Sequence, residues 1–155
     1  MVFLQITMDP KAHMQTFLDS GAHFTAFFST IWGGLEQKRW GSRFPVTMNK
    51  LYAGEVPCKD VRLLEQELHV IQNGLRNLSA THLVWNFECL DEKPPVDAVF
   101  SNGVHTCEDF FMFYNDCNLF PKIFKAIEHA IYYSSSIEVH SSYDYPWHPL
   151  LFDNK

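Results

Sequence analysis

The alternation of apolar and polar residues at the start of the chain predicts a β-strand. In residues 2–8, VFLQITM, the aliphatic side chains and a methionine occupy every second position, as a strand buried on one face requires. Asp9-Pro10 is expected to end this strand, because proline cannot donate a hydrogen bond to a neighbouring strand. A shorter alternation in residues 136–140, SIEVH, predicts a closing strand near the other end of the chain.

Apolar residues at helical spacing predict the first two helices. Between Phe24 and Leu35 they recur at intervals of three and four, and Ser20 is a suitable N-cap. Residues 45–54, PVTMNKLYAG, begin with a proline suited to a first helical turn and end with a glycine suited to a left-handed C-cap. The preceding residues 40–44, WGSRF, are therefore expected to form the corner between two helices.

Two further helices follow the same rule. The strongest periodicity covers residues 59–78, where apolar residues step by three and four without a break. Leu63 and Val70 widen the apolar stripe of this helix, which predicts that it is buried. A last amphipathic helix is predicted over residues 120–131, with Asn118 as its candidate N-cap.

Two segments between these helices have the pattern of strands. Residues 82–88, HLVWNFE, alternate between apolar and polar positions, and residues 109–114, DFFMFY, are aromatic-rich and apolar on both faces. The predicted fold class is α+β, in the order β-α-α-α-β-β-α-β, with a small, mostly antiparallel sheet packed against about four helices. We expect a single domain over residues 1–140 and an aromatic, proline-containing tail over residues 141–155.

Length and composition indicate one folded domain. The chain has 155 residues, of which 46% are hydrophobic and 15% aromatic, so it can bury a sizeable core. No stretch approaches the roughly 20 apolar residues that cross a bilayer, and the first residues lack the features of a signal peptide. The four cysteines are irregularly spaced, which favours reduced thiols. A cytoplasmic location is therefore expected.

The motifs of common enzyme classes are absent from the sequence. Glycine-rich phosphate loops, GxSxG, HExxH and CxxC do not occur, and the eight histidines are scattered singly. Glu65 and Glu67 lie two apart on a predicted helix, so they indicate a solvated helix face. One alternative stays open, a small cytosolic enzyme or ligand-binding protein that uses His105, Cys107 and Glu108 as a pocket. No cofactor or metal is expected.

The charge distribution suggests what kind of partner the protein has. A basic cluster with neighbouring aromatics resembles a nucleic-acid patch, and it consists of Lys38, Arg39, Arg43 and Lys50 beside Trp40 and Phe44. The net charge of −6 argues against this interpretation, because phosphate binding needs a basic face. Residues 88–116 hold seven acids and one lysine. This acidic region is either a solvated loop between the two middle strands or a recognition surface for a basic partner.

Five segments in a fixed order carry a resemblance to a known family. They are FFSTIWGGLE (27–36), WGSRFPVTMNKLYAGEV (40–56), EQELHVIQNGLR (65–76), LVWNFECLDEKPP (83–95) and, more weakly, DFFMFYNDCNLFPKIFKAIEHA (109–130). In order and spacing they resemble the immunity protein 70 family, whose members are encoded beside bacterial polymorphic toxins. The corner segment is then a family hallmark, which suggests that it fixes the fold and carries no reaction.

The resemblance implies a function by binding, without catalysis. The protein would form a heterodimer with the C-terminal domain of its cognate toxin, as in contact-dependent growth inhibition, and block the toxin's active site or substrate path. Many such toxins are nucleases with basic clefts, which an acidic surface suits. No nucleic acid, membrane or small-molecule substrate is expected. The candidate toxin-binding residues are Glu88, Asp91, Glu92, Asp97, Glu108, Asp109, Asp116, Tyr145 and Trp147.

Overall fold

A four-stranded antiparallel sheet forms one layer of the protein. The structure, a computed structural model, describes residues 2–9, 12–18, 20–94 and 103–141. The strands are β1 (Val2–Asp9), β2 (Ala12–Phe17), β3 (Glu55–Val56) and β4 (Ile137–Ser141), in the spatial order β2-β1-β4-β3. The predicted first and closing strands are confirmed, and so is the α+β class with a small antiparallel sheet.

The strand β2 is missing from the sequence-based prediction. It pairs with β1 from Phe17 opposite Phe3 to Ala12 opposite Asp9. Its side chains alternate between partly buried and exposed, and polarity follows this alternation except at the last two residues. Thr16 lies on the more buried face, whereas Phe17 is 52% exposed. The alternation is short and its last two residues reverse it, so the segment carries only a weak strand signal.

Helices cover one side of the sheet and enclose the core. The α-helices are α1 (Gly21–Gly34), α2 (Val61–Arg76), α3 (Cys107–Phe113) and α4 (Leu119–Tyr132). Phe27 of α1 packs against Phe111 of α3 and Phe120 of α4, with ring centroids 5.5 and 5.7 Å apart. One aromatic cluster thus connects three helices. Within the described ranges, no helix is both long enough and apolar enough to cross a membrane.

The two predicted N-caps precede their helices, but only one of them caps through its side chain. The Ser20 hydroxyl accepts a hydrogen bond from the His23 N–H at 3.2 Å. Asn118 precedes α4 in a left-handed conformation, and its side chain forms no capping hydrogen bond. On α2 the prediction that Leu63 and Val70 are buried is wrong, since they are 49% and 50% exposed. The buried stripe of this helix is narrower, with Val61, Leu64, Leu68, Ile71 and Leu75.

Neither of the two predicted middle strands forms. Of residues 82–88, His82 ends a 3₁₀ turn, Ala80–His82, and residues 83–88 run as irregular backbone. Residues 109–113 belong to α3. A capping box starts this helix: the Asp109 N–H donates to the Thr106 hydroxyl at 3.1 Å, and the Asp109 carboxylate accepts from the Thr106 N–H at 2.9 Å. Local capping therefore overrides the β-propensity of the aromatic residues.

A buried carboxylate fixes the corner between α1 and the next helical segment. Glu36 is 2% exposed, and it accepts hydrogen bonds from the N–H groups of Gly41, Arg43 and Phe44 at 2.9, 3.0 and 3.1 Å. Gly41 has a φ of +74°, and a Cβ there would lie 2.7 Å from the side-chain nitrogen of Asn49. The Glu36 carboxylate and Gly41 therefore both stabilise the corner. Any other residue in place of Gly41 would introduce strain.

A second carboxylate holds the helix after the corner. Val46–Leu51 is a π-helix, and the N–H groups of Val46 and Thr47 donate to Glu67 of α2 at 3.0 and 2.7 Å. The Thr47 hydroxyl donates to the same carboxylate at 2.7 Å. The interpretation of Glu67 as part of a solvated helix face is therefore wrong. Glu67 supplies the cap that Pro45, with no side-chain hydrogen bond, cannot give.

Replacing Glu36 by Gln is expected to lower the free energy of unfolding by about 1–3 kcal/mol. Gln keeps the size of the side chain, but its NH₂ group cannot accept from the corner N–H groups. Urea unfolding followed by circular dichroism measures the loss. The matched control is Glu128→Gln on α4, an exposed position that should change stability by less than about 0.5 kcal/mol. Equal stabilities for the two variants would contradict the proposed role of Glu36.

The capping box of α3 predicts a stability contribution that acid removes. Burial raises the pKa of Asp109, but hydrogen bonds from the His105 and Thr106 N–H groups and the Thr106 hydroxyl outweigh it and hold that pKa below its usual value. The contribution is then present above the unfolded pKa of about 4 and is lost as the pH falls through the lower folded pKa.

Asp109→Ala is therefore expected to cost about 0.5–2 kcal/mol at neutral pH, the usual range for a lost cap. The difference from the unsubstituted protein should narrow as the pH falls below about 4. Urea titrations across the acid range measure it. A difference that stays constant into strong acid would show that the carboxylate charge contributes nothing.

Candidate functional site

The acidic region of the sequence is divided between two structural units. Glu88, Asp91 and Glu92 are exposed on an irregular stretch, residues 83–94, which we call the acidic segment. Glu108 and Asp109 lie in the first turn of α3, and Asp116 is exposed in the turn that follows this helix. The prediction of one loop between two strands is wrong, because neither strand forms and α3 lies inside the region. Asp97, Tyr145 and Trp147 lie outside the described residues.

Two buried hydroxyls of α1 anchor the acidic segment. Thr30 Oγ1 accepts from the Val84 N–H at 3.1 Å and lies 3.3 Å from the Val84 carbonyl oxygen, to which it donates. Ser29 Oγ accepts from the Phe87 N–H at 3.0 Å and donates to the Thr25 carbonyl oxygen at 2.7 Å. These bonds replace the ladder of a strand, so irregular backbone is held in place without a sheet partner.

Aromatic packing joins the acidic segment to α3. The Trp85 ring lies 6.3 Å from the ring of Phe110, which is fully buried. His23 of α1 contacts both rings, with centroid distances of 5.8 and 5.1 Å, and also Tyr114 at 4.9 Å. The two acid-bearing units therefore lie side by side on a common aromatic cluster.

The acids of these two units differ in what already engages them. Arg76 at the end of α2 donates to Glu108 at 3.0 Å, and Asp109 is held in the capping box. Within the described ranges Glu88, Asp91 and Glu92 form no ion pair. Of the two units, the acidic segment thus holds the carboxylates that no described cation pairs with, and its own Lys93 leaves it with a net negative charge.

A small cleft opens between α1 and the acidic segment. Its volume is about 80 Å³, and its lining residues are Ala22, Thr25, Trp85, Asn86 and Glu92. Pockets for small-molecule ligands usually measure roughly 300–1,000 Å³. The cleft therefore has room for the end of one side chain and is too small for a nucleotide.

A wider, shallow depression lies elsewhere on the surface. It measures about 300 Å³, and its lining residues are Arg43, Phe44, Gln66, Glu67 and Val70. The Glu67 carboxylate there is occupied by the N–H groups of Val46 and Thr47. No described carboxylate of this depression is free for acid–base chemistry.

The residues of the alternative enzyme hypothesis do not converge on a pocket. Cys107 is fully buried, burial raises the pKa of its thiol to about 12, and its Sγ donates to the Ser79 carbonyl oxygen at 3.3 Å. Glu108 is paired with Arg76, and His105 is exposed. The Cys107 thiol is therefore protonated at neutral pH and buried in the core. The described part of the chain contains no group of three or more His, Cys, Asp or Glu placed to hold a metal ion.

The predicted basic patch is largely engaged within the chain. Lys50 pairs with Asp60, and an Arg43 N–H donates to the Leu35 carbonyl oxygen at 2.9 Å. The Trp40 indole donates to the Met48 carbonyl oxygen at 3.0 Å, and Phe44 is only 3% exposed. The Trp40 ring also packs against Tyr52 and Phe87, with centroid distances of 4.8 and 4.7 Å, so both aromatic rings are engaged in internal packing.

Sequence reasoning missed the residues that build the site. Ser29 and Thr30 interrupt the apolar run FFSTI, and their position on the buried side of a helix is the signal that could have identified them. A buried hydroxyl needs a hydrogen-bond partner, and here that partner is the backbone of a distant segment. Asn86 and Trp85 carry no comparable local signal.

A comparison of the sequence with models of known protein families finds a match. A family model described as immunity protein 70 matches residues 12–139, which run from the start of β2 into β4 and include the corner and the acidic segment. No curated protein and no solved structure matches the chain. The match covers well over half of the 155 residues. The chain belongs to the immunity protein 70 family.

Proposed function

We propose that this protein neutralises a secreted bacterial toxin by binding its C-terminal domain as a heterodimer and blocking the active site or the substrate path. Family membership implies an immunity protein with a cognate toxin as its partner. The observation that carries the proposal is the set of exposed acids Glu88, Asp91 and Glu92, which form no ion pair with a described residue, on a segment anchored to α1. The protein acts by binding in the cytoplasm of the producing cell and catalyses no reaction itself.

A nuclease is the toxin class that this surface suits best. Nucleases bind phosphates through basic clefts, so an acidic surface competes for the same cationic groups. Charge complementarity also accelerates encounter, which matters when an antitoxin must act before its target does damage. The proposed setting is contact-dependent growth inhibition, in which the producer protects itself from its own polymorphic toxin.

The interface must extend beyond the acidic segment. A stable complex buries about 1,200–2,000 Å² in total, and apolar side chains near its centre usually supply most of the binding energy. Leu90 on the segment is 50% exposed and Phe113 on α3 is 59% exposed, so both are available as anchors. Asp116 on the neighbouring turn and Tyr145 and Trp147 of the tail complete the proposed surface. Residues 1–140 serve as the folded immunity domain in this proposal.

Coexpression with the toxin domain encoded immediately upstream tests the proposed function. Cells that make both proteins are expected to grow, and a one-to-one complex should survive gel filtration. Cells with the toxin domain and an empty vector serve as the control. Continued cell death, together with the absence of a complex, would refute the antitoxin role.

Reversing Glu88, Asp91 and Glu92 to Lys is expected to slow association with the toxin domain by about tenfold or more at low salt. The effect should shrink as salt screens the charges, and the stability of the free protein should change by less than about 0.5 kcal/mol. Stopped-flow or surface plasmon resonance measures the rate constant. The charge-matched control is a triple variant in which three other glutamates are replaced by Lys, namely Glu55, Glu65 and Glu128. Equal rates for the two triple variants would remove the acidic segment from the interface.

A further inference from the structure

The cleft between α1 and the acidic segment has the chemistry of a receptor for one cationic side chain. Its lining residues Trp85, Glu92, Asn86 and Thr25 bring an indole, a carboxylate, an amide and a hydroxyl to one place. We propose that an arginine side chain of the toxin domain enters this cleft, with its guanidinium group against Trp85 and paired to Glu92. This inference rests on the proposed antitoxin function and identifies the contact that gives it specificity.

The negative charges around the cleft favour a cationic ligand. The described residues provide no ion pair for Glu92, and the same holds for Glu88 and Asp91 on the same segment. An anion would be repelled by all three carboxylates, whereas a cation gains from them and from the electron-rich face of the indole. The net charge of −6 for the whole chain acts in the same direction.

The chemistry of the lining residues favours arginine over lysine. A planar guanidinium group stacks on an aromatic ring and presents two parallel N–H groups to a carboxylate, which an ammonium group cannot do. A volume of about 80 Å³ accommodates such a terminal group and leaves little room for anything larger. The Asn86 side chain and the Thr25 side chain supply further polar atoms around it.

The walls of the cleft are fixed before any partner arrives. The Asn86 Nδ2 donates to the Glu92 carboxylate at 3.2 Å, and the Asn86 Oδ1 accepts from the Glu88 N–H at 3.0 Å. Trp85 packs against His23 and Phe110. Because these groups are already ordered, little conformational entropy is lost when the cleft is filled.

Two variants that each remove one negative charge test the inference. Glu92→Gln removes the carboxylate that lines the cleft, and Asp91→Asn removes an equal charge from the adjacent residue, which does not line it. The probe is N-acetyl-L-arginine amide, and its matched control is N-acetyl-L-citrulline amide, which has nearly the same shape without the charge. ¹⁵N-resolved NMR titrations of the full chain report on the Trp85 indole N–H and on the amides of residues 85–92.

The arginine amide is expected to give saturable shifts at these positions, and the citrulline amide is expected to give none. The shifts should persist in Asp91→Asn, with an affinity within about twofold, and disappear in Glu92→Gln. Equal responses to the two amides, or equal losses in the two variants, would overturn the inference. The surface would then attract cations only through its overall charge.

Binding to the upstream toxin domain separates this inference from the proposed function. Glu92→Gln should weaken the complex about tenfold, which corresponds to about 1.4 kcal/mol, whereas Asp91→Asn should weaken it by less than about threefold. If the toxin domain binds both variants and the unsubstituted protein equally, the arginine contact is refuted and the antitoxin function stands. If it fails to bind the unsubstituted protein, both proposals fall.

Discussion

Hydrogen bonding between two carboxylates and the backbone of one corner is the constraint on which the rest of the structure depends. Between α1 and α2 the chain turns sharply and then winds into a π-helix, so successive N–H groups have no partner in a regular element. Glu36 and Glu67 accept them. A buried N–H without a partner costs about 1–3 kcal/mol, so the corner has one favourable geometry. That geometry fixes the end of α1, and α1 carries the hydroxyls of Ser29 and Thr30 that hold the acidic segment.

The corner and the acidic segment are stabilised in the same way. In both places the backbone follows an irregular path, and polar side chains supply the hydrogen bonds that regular secondary structure would otherwise give. Carboxylates do so at the corner, and hydroxyls do so under the acidic segment. The acids above those hydroxyls are held on a rigid support while remaining exposed to solvent. A surface of this kind would bind the proposed toxin partner without a large loss of conformational entropy.

How far the sequence predicts this structure depends on the range of the interactions involved. β1, β4, α1, α2 and α4 follow from periodicity, because burial of one face leaves a repeating pattern. Periodicity does not predict α3, because its seven residues are too few to show a helical period and its aromatic residues favour strands. The sequence signal for this helix is the capping box formed by Thr106 and Asp109, which lie three residues apart. Residues 82–88 have the alternation of a strand, but the hydrogen-bond partners of this stretch on α1 lie more than 50 residues away. The sequence identifies the acidic region for its charge, but it does not show which of these acids are already engaged within the chain. The Arg76–Glu108 ion pair, for example, joins residues that are distant in the sequence.

Hydrogen exchange of the protein alone and in complex with its toxin domain tests the central claim most directly. The claim is that the acidic segment docks on the toxin while the corner only supports the fold. The account predicts new protection at residues 83–94 and in the first turn of α3, with no change at residues 41–47, which are already held by Glu36 and Glu67. Protection that appears on β2 or at the corner and leaves residues 83–94 exchanging as in the free protein would contradict it.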